Sequence, residues 1–413
     1  MRLIYFHQHF ATPRGSGGIR SYQMARELVR RGHSVTMVCG SHKLAGIGLP
    51  GEYVDGCKRG MIDGIDVIEF DLSYSNRDGL LKRSLTFLKY AWNSILVALR
   101  EEYDLAFATT TPLTAAIPVL AARLLRGKRY VFEVRDLWPE IPREMGVITN
   151  PLVLGAMSVL EFLAYRGAAA CVALSPGIAD GIARRGVSRE RIAMVPNGCD
   201  IDLMNAAPEG WRPESIGRDK FLAVFPGAHG PANGLRAVLD AAIVLKDRGR
   251  SDIAIALVGD GKEKDDLVAY ARRENLDNVH FHNPVPKRQV AGLLAEADVG
   301  LQVLANIPAF YYGTSPNKFF DYIASGTPVV TNYPGWVADL VTEHSAGLAV
   351  PPGEPEKLAE ALMTLADDAQ TRASMAANAG ALASDRFDRS LLAQEWSEFV
   401  LQQSAEKSLG KPQ

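Results

Sequence analysis

Four cysteines in 413 residues, Cys39, Cys57, Cys171 and Cys199, lie too far apart for a metal-ligand or redox spacing. That scarcity suits free thiols in a reducing compartment. Long apolar runs are also missing: no stretch approaches the roughly 20 residues needed to cross a bilayer. The most apolar region, Pro112 to Leu125, reads as a buried helix. The opening Met1–His7 reads as a strand with no basic region or cleavage site, so no signal peptide is expected and the protein is most simply cytoplasmic. Charge of one sign is lacking too. A formal net charge of -2 gives no whole-molecule attraction to nucleic acid. No short-period repeat and no low-complexity segment interrupts the chain. His280 and His282 alternate on one strand face with no third ligand near in sequence, and Asp200-Ile-Asp202 reads as a turn, so no metal site is expected.

What is present is a regular alternation of strand and helix patterns, the signature of parallel sheets covered by helices. Leu3–Phe6 reads as a strand, Ala11–Gly18 as a loop, and Ile19–Arg31 as a helix with Ile19, Tyr22, Ala25, Leu28 and Val29 on one face. Strands are expected at Ser34–Cys39, Ile65–Phe70, Leu105–Thr109, Arg129–Glu133, Ala170–Leu174 and Ile192–Val195. A polar, proline-containing stretch, Ala206–Arg218, reads as a linker. A second series follows at Phe221–Phe225, Ile253–Val258, Val279–His282, Val299–Val303, Pro328–Thr331 and Gly347–Val350. The fold class is therefore α/β, with two doubly wound Rossmann-like domains facing across a cleft. The expected bounds are 1–205 for the first domain and 206–385 for the second. A C-terminal helix over 386–413 has open docking, packing back on the first domain being one option. Ligands of such sheets bind beyond the carboxyl ends of the strands, which directs attention to the loops there.

The most informative segment runs from Gly313 to Gly326, GTSPNKFFDYIASG. Ser315 suits an N-cap and Pro316 a first helical residue. Exposed amides at such a helix start, with the dipole behind them, attract an anion, and Lys318 adds a formal charge. Asp321 lies about 7–8 Å further along the axis, a suitable offset for a ribose diol. An ordinary capped helix with a solvated Lys-Asp pair explains the same residues equally well. In the first half, Val134-Arg-Asp-Leu-Trp-Pro-Glu140 begins where a strand ends and places two charges together before a proline. Asp136 and Glu140 are candidate ligand-binding residues, with Arg135 a charge stabiliser. The plainer reading is an Arg-Asp surface pair with Trp138 packed beneath it. Arg77 to Arg100 mixes Lys82, Arg83 and Lys89 with Leu80, Leu81, Phe87, Tyr90 and Trp92, which fits either a half-buried helix or a peripheral contact with an anionic membrane.

These segments resemble the retaining glycosyltransferases of family 4, which share the GT-B fold. That family carries an E-x7-E signature before a Gly-Pro-Val strand. Asp321 aligns with its second glutamate and Gly326-Thr-Pro-Val-Val330 with the strand, while Gly313 stands in place of the first glutamate. The Ser-Pro-x-Lys form is similar to a branch active on O-antigen, capsule and exopolysaccharide sugars. The resemblance implies that Asp321 binds ribose hydroxyls and that Ser315, Asn317 and Lys318 meet a diphosphate. It further implies that the loop holding Gly17 and Gly18 approaches the donor phosphate, glycine leaving room for that approach. Ala228 and Asn233 replace the family's Arg-x4-Lys on the donor phosphates, with His229 and backbone amides as compensating candidates. Gly259 and Gly261 match the family's glycine turn, and Asn283–Pro286 the base contact. The expected function is a sugar transferase using a nucleoside diphosphate sugar, with UDP the leading nucleotide and an N-acetylamino sugar one option. The acceptor would be a glycan or a polyprenyl-linked molecule, with no cofactor, no metal and no nucleic acid involved. Two rivals are a UDP-N-acetyl sugar epimerase of the same fold and a non-catalytic sugar-nucleotide-binding subunit.

Overall fold

The structure, a computed structural model, describes residues 1–15, 18–41, 47–72, 79–206 and 210–405. The chain forms two compact units. The first comprises Met1–Pro196, Gly313–Ser315 and the chain from Ser390; the second comprises Asn197–Tyr312 and Pro316–Arg389.

The strands of the first unit are β1 (Arg2–Phe6), β2 (Ser34–Gly40), β3 (Cys57–Ile62), β4 (Ile65–Phe70), β5 (Leu105–Thr109), β6 (Tyr130–Val134), β7 (Ala170–Ala173) and β8 (Ile192–Met194). They form one sheet in the order β3-β4-β2-β1-β5-β6-β7-β8, parallel throughout except for β3 against β4. β5, β6 and β7 are buried along their whole length, as parallel strands covered on both faces must be. The first unit's helices are α1 (Arg20–Arg30), α2 (Leu80–Arg100), α3 (Ala116–Arg126), α4 (Glu140–Glu144), α5 (Pro151–Gly167) and α6 (Pro176–Arg184). One face of the sheet packs α2, α3, α5 and α6 through Tyr90, Val119, Tyr165 and Ile178. The other packs α1 through Met24 and Leu28. That second face also receives Trp396, which is fully buried, lies 5.0 Å edge-on from the Phe107 ring and stacks on Tyr5 at 6.1 Å.

The second unit has β9 (Phe221–Pro226), β10 (Ile253–Val258), β11 (Val279–His282), β12 (Val299–Gln302), β13 (Val329–Thr331) and β14 (Gly347–Ala349), an all-parallel sheet in the order β11-β10-β9-β12-β13-β14. Its helices are α7 (Ile201–Asn205), α8 (Arg236–Asp247), α9 (Lys264–Arg273), α10 (Lys287–Ala295), α11 (Pro308–Gly313), α12 (Asn317–Ala324), α13 (Trp336–Glu343), α14 (Pro355–Asp367) and α15 (Ala369–Arg386). The last helix, α16 (Arg389–Ala405), carries Trp396.

Three expectations are corrected. The edge strand β3 is not foreseen from the sequence, although Asp63 and Gly64, both with positive φ, form the two-residue turn that joins it to β4. Within the expected linker, residues 207–209 lie outside the described residues, and the rest is packed rather than free. The Trp211 amide donates to the Gly292 carbonyl and the Arg212 guanidinium to that of Gly217. The expected buried helix, observed as α3, is buried on one face as far as Ala122, whereas Leu124 and Leu125 near its end are 84% and 65% exposed.

Candidate functional site

At the strand ends of the first unit a buried ionic network underlies the Arg135 loop. Glu133 is a lone carboxylate in the otherwise apolar strand β6 and is fully buried. A carboxylate in such a place must be paired. Arg20, the first residue of α1, donates to it from Nε at 3.0 Å and Nη2 at 2.9 Å, and also bonds the carbonyls of Val195 and Pro196. The other Glu133 oxygen accepts from Thr109 Oγ1 at 2.7 Å and Arg135 Nε at 3.2 Å. Burial raises the Glu133 pKa, but Arg20 and Arg135 outweigh it and hold the carboxyl below its usual value. Arg135 continues to Ser21 Oγ at 2.8 Å, which also accepts from the Tyr5 hydroxyl. His7, at the end of β1, is buried; desolvation first and the Arg135 charge second keep its ring neutral.

Arg135 is thus bonded to Glu133, Thr109 and Ser21, whereas its neighbour Asp136 accepts from Thr111 Oγ1 at 3.0 Å. The surface pairing of Arg135 with Asp136 is not what the structure contains. Desolvation raises the Asp136 pKa, opposed by Thr111 and Arg135. Glu140 opens α4 and faces Arg184 at 3.9 Å, a loose surface contact. Gly18 is exposed just before α1, and Gly17 lies outside the described residues.

In the second unit the loops after β9 and β10 lie backbone against backbone. The amides of Gly227 and His229 donate to Val258 and Asp260, and the Glu263 amide to His229. A Cβ at Gly259 would stand 1.8 Å from the Gly227 carbonyl oxygen, and one at Gly261 2.4 Å from that of His229. These two glycines are therefore required by the packing of the loops themselves. Lys264 ties the ends of β10 and β11 together, donating to the carbonyls of Gly259 and His282 and to Asn283 Oδ1.

Beneath this pair of loops His229 is wholly buried between the Phe225 and Phe281 rings, and neither of its ring nitrogens has a hydrogen-bond partner. Burial first, and Lys264 second, push its pKa down to about 4. It is neutral near pH 7 and brings no formal charge to this loop. Lys318, from the first turn of α12, lies against Gly227 of the same loop. Its Nζ lies 3.1 Å from Asn233 Oδ1 and 4.7 Å from the Phe225 ring centre, and burial lowers its pKa to about 8 against the pull of Asp321. The Asn233 amide in turn donates to the Ala228 carbonyl at 2.7 Å. So Asn233 and Lys318, 85 residues apart, form one cationic corner at the start of α12.

α12 begins at Asn317, one residue later than expected, with Pro316 at the cap and no side-chain cap bond. Ser315 is therefore not its N-cap. Asp321, 6% exposed, meets Lys287 Nζ at 2.5 Å. Asp200 binds Arg389, which also reaches the Gly198 carbonyl, in keeping with a structural turn. Among the described residues no group of three or more His, Cys, Asp or Glu side chains gathers as metal ligands.

The sequence reading missed Arg20, Glu133, Lys264 and Lys287. Glu133 carried a signal, a charge inside a continuous apolar strand. The lysines carried none, because each meets its partners only through the fold.

Comparison with known proteins defines the fold and the family. The fold is GT-B: two Rossmann-like domains built on parallel sheets. A sucrose-phosphate synthase from Thermosynechococcus elongatus matches with a TM-score of 0.76 over 98% of this chain and 99% of its own, at 16% identity. Anabaena Alr3699/HepE in complex with UDP matches with a TM-score of 0.69 over 97% and 100%, at 21% identity. The family follows from the two halves. Residues 16–198 match the glycosyl transferase 4-like domain and residues 220–368 the glycosyl transferases group 1 domain, which together place the chain among the GT-B glycosyltransferases. A D-inositol 3-phosphate glycosyltransferase from Paenarthrobacter aurescens (strain TC1) is 27% identical over 51% of this chain and 52% of its own. The chain thus spans about half the length of the curated relatives it matches.

Proposed function

We propose that the protein transfers a sugar from a nucleoside diphosphate sugar, with UDP the favoured nucleotide, to a glycan or polyprenyl-linked acceptor. Anomeric configuration is retained and no metal or cofactor takes part; the setting is cytoplasmic assembly of a cell-surface polysaccharide. The observation that carries the reading is the corner formed by Lys318 and Asn233 at the first turn of α12, a helix start without a side-chain cap. A cation and oriented amides in a half-buried corner suit a departing diphosphate, because they stabilise charge that develops as the glycosidic bond breaks. The HepE structure holds UDP in the same fold, which favours a uridine donor. Asp321, oriented by Lys287, is the ribose ligand in this reading. On the acceptor side Asp136 contacts the incoming hydroxyl or the sugar, and Arg135, anchored through Glu133 and Ser21, stabilises negative charge. The leaving phosphate takes the acceptor's proton, so no separate base is assigned.

Calorimetric titration of UDP, GDP and dTDP in EDTA tests the reading, comparing the wild type with Asp321→Ala. Binding of UDP above the other two, weakened at least about tenfold in the variant, is the expected result for a lost charged hydrogen bond. Undiminished binding by Asp321→Ala, or no UDP binding at all, overturns the assignment.

A further inference from the structure

The layer α2, α3 and α5 covers one sheet face of the first unit, and its outer surface is unlike any other on the described residues. Twelve of the eighteen exposed large apolar side chains lie on these three helices, while the second unit contributes only Tyr312. On α2 they form a stripe at helical spacing, Leu81, Leu85, Leu88 and Trp92. On α5 the stripe starts at Leu152, 82% exposed, and continues through Val159 to Phe162 and Leu163. Leu124 and Leu125 belong to α3, the helix packed against both. Between α2 and α3 the surface opens into an apolar cavity of about 490 Å³ lined by Leu85, Leu88, Trp92, Ile95 and Ile117. Soluble surfaces rarely leave so much contiguous apolar area unused.

The charges on the same helices share one sign. α2 carries Lys82, Arg83, Lys89 and Arg100, α3 carries Arg123 and Arg126, and α5 carries Arg166. The only acid on the three is Glu161, which is buried and paired with Arg185. An isologous contact with a second copy would set this basic face against itself. An anionic bilayer instead matches both properties: leucine and tryptophan tips enter the headgroup boundary while long basic side chains meet lipid phosphates. Among the described residues no helix is long and apolar enough to span a membrane, so the contact is one of lying on the surface.

We propose that the α2–α3–α5 face of the first unit docks on an anionic lipid bilayer. The surface extends beyond the Arg77–Arg100 stretch that the sequence singles out; Arg77 itself lies outside the described residues, and the α5 stripe has no charge before Glu161. A lipid-carried acceptor would then be presented in the plane where the first unit rests.

The test is co-sedimentation of the full chain with phosphatidylcholine vesicles that contain or lack phosphatidylglycerol, with neither donor nor acceptor present. A negative result would therefore leave the transferase reading standing. The wild type is expected to bind the anionic vesicles in a salt-sensitive way and the neutral ones at least about tenfold more weakly. Trp92→Glu/Phe162→Glu, at exposed positions, and Lys89→Glu/Arg123→Glu should each lose about tenfold or more while keeping the wild-type Tm. Failure of the wild type to bind, or binding by both variants at the wild-type level, overturns the proposal. So does a concentration-dependent dimer, seen by analytical ultracentrifugation and abolished by Phe162→Glu, which would make the face a protein interface.

Discussion

The two units solve one folding problem with the same parts, a parallel sheet under helices on both faces, yet they place their polar groups oppositely. The first unit buries a paired network, Arg20, Glu133, Arg135 and Ser21, beneath its strand ends and leaves an apolar layer facing outward. Among its described residues the second leaves one large apolar side chain exposed and buries an unpaired imidazole, His229, while setting a half-buried lysine at the start of a helix. The architecture dictates none of this. It fixes where loops gather, and in the proposed reading the side chains placed there decide which unit suits a charged donor and which an acceptor.

The largest effect is expected at the acceptor-side carboxylate of the first unit. If Asp136 contacts the acceptor or sugar as proposed, Asp136→Asn should lower kcat/KM for transfer by roughly 10²-fold through lost positioning of the reactants. Nucleotide binding measured by calorimetry should stay unchanged, since that is assigned to the other unit. A variant that lost UDP affinity in parallel would erase the division of labour between the two units. The wild-type rate should also decline on the acid side at a pH above the usual aspartate range, because desolvation raises the Asp136 pKa.

Next comes the buried network itself. Glu133→Gln leaves Arg20 and Arg135 without their carboxylate and should cost about 3–5 kcal/mol, the usual penalty for breaking a buried ion pair. Denaturant unfolding followed by circular dichroism measures this. Loss of less than about 1 kcal/mol, the level of an exposed pair, would mean that the network is wetter than its burial indicates.

How far the sequence anticipates this structure differs between its levels. Strand positions such as Ile65–Phe70, Leu105–Thr109 and Ile253–Val258 coincide with the observed β4, β5 and β10, because apolar runs bounded by turn residues reflect local physics. β3 escaped because CKRGMI lacks the apolar density of a central strand, although the Asp63-Gly64 turn marked the hairpin. The candidate site was legible only in part. Ser315 to Asp321 stood out through capping and charge, but the actual cap is Pro316, and the pairing of Lys318 with Asn233 depends on how α12 meets the loop after β9. Lys287 on Asp321 and Arg20 on Glu133 join residues 34 and 113 positions apart, and no spacing rule reaches that far. Exposure of Leu124, Leu125 and Phe162 was invisible for the opposite reason: an apolar residue on a helix reads as core until a fold leaves it outside.

A smaller effect would sharpen the second unit's side of the comparison. Lys318→Ala should weaken UDP binding about 10- to 100-fold, the worth of one charged hydrogen bond to a phosphate. The geometry also predicts a rescue. Asn233 lies within bonding distance of the lysine, so a lysine placed there in Lys318→Ala/Asn233→Lys points its charge at the same corner and should recover part of the affinity. If the double variant binds no better than Lys318→Ala, the position of the charge on α12, not merely its presence, is what matters.

The smallest effect at neutral pH belongs to His229, and it sets the two buried polar sites directly against each other. Because neither ring nitrogen has a partner, His229→Leu removes no hydrogen bond and should change stability near pH 7.5 by no more than about 1 kcal/mol. The difference should grow with acidity. In the unfolded chain the imidazole protonates near its ordinary value of 6.5, whereas in the folded protein its pKa is about 4. Between those values the unfolded state binds the extra proton, so folding stability falls as pH drops through the window and the loss is complete below pH 4. The shift corresponds to at most about 3 kcal/mol. Urea unfolding at pH 7.5 and pH 4.5 should therefore find the variant close to the wild type at the higher pH and more stable than it at the lower. Equal pH dependence in both proteins would mean that His229 has a partner when folded, and the contrast with the fully paired Glu133 would not hold.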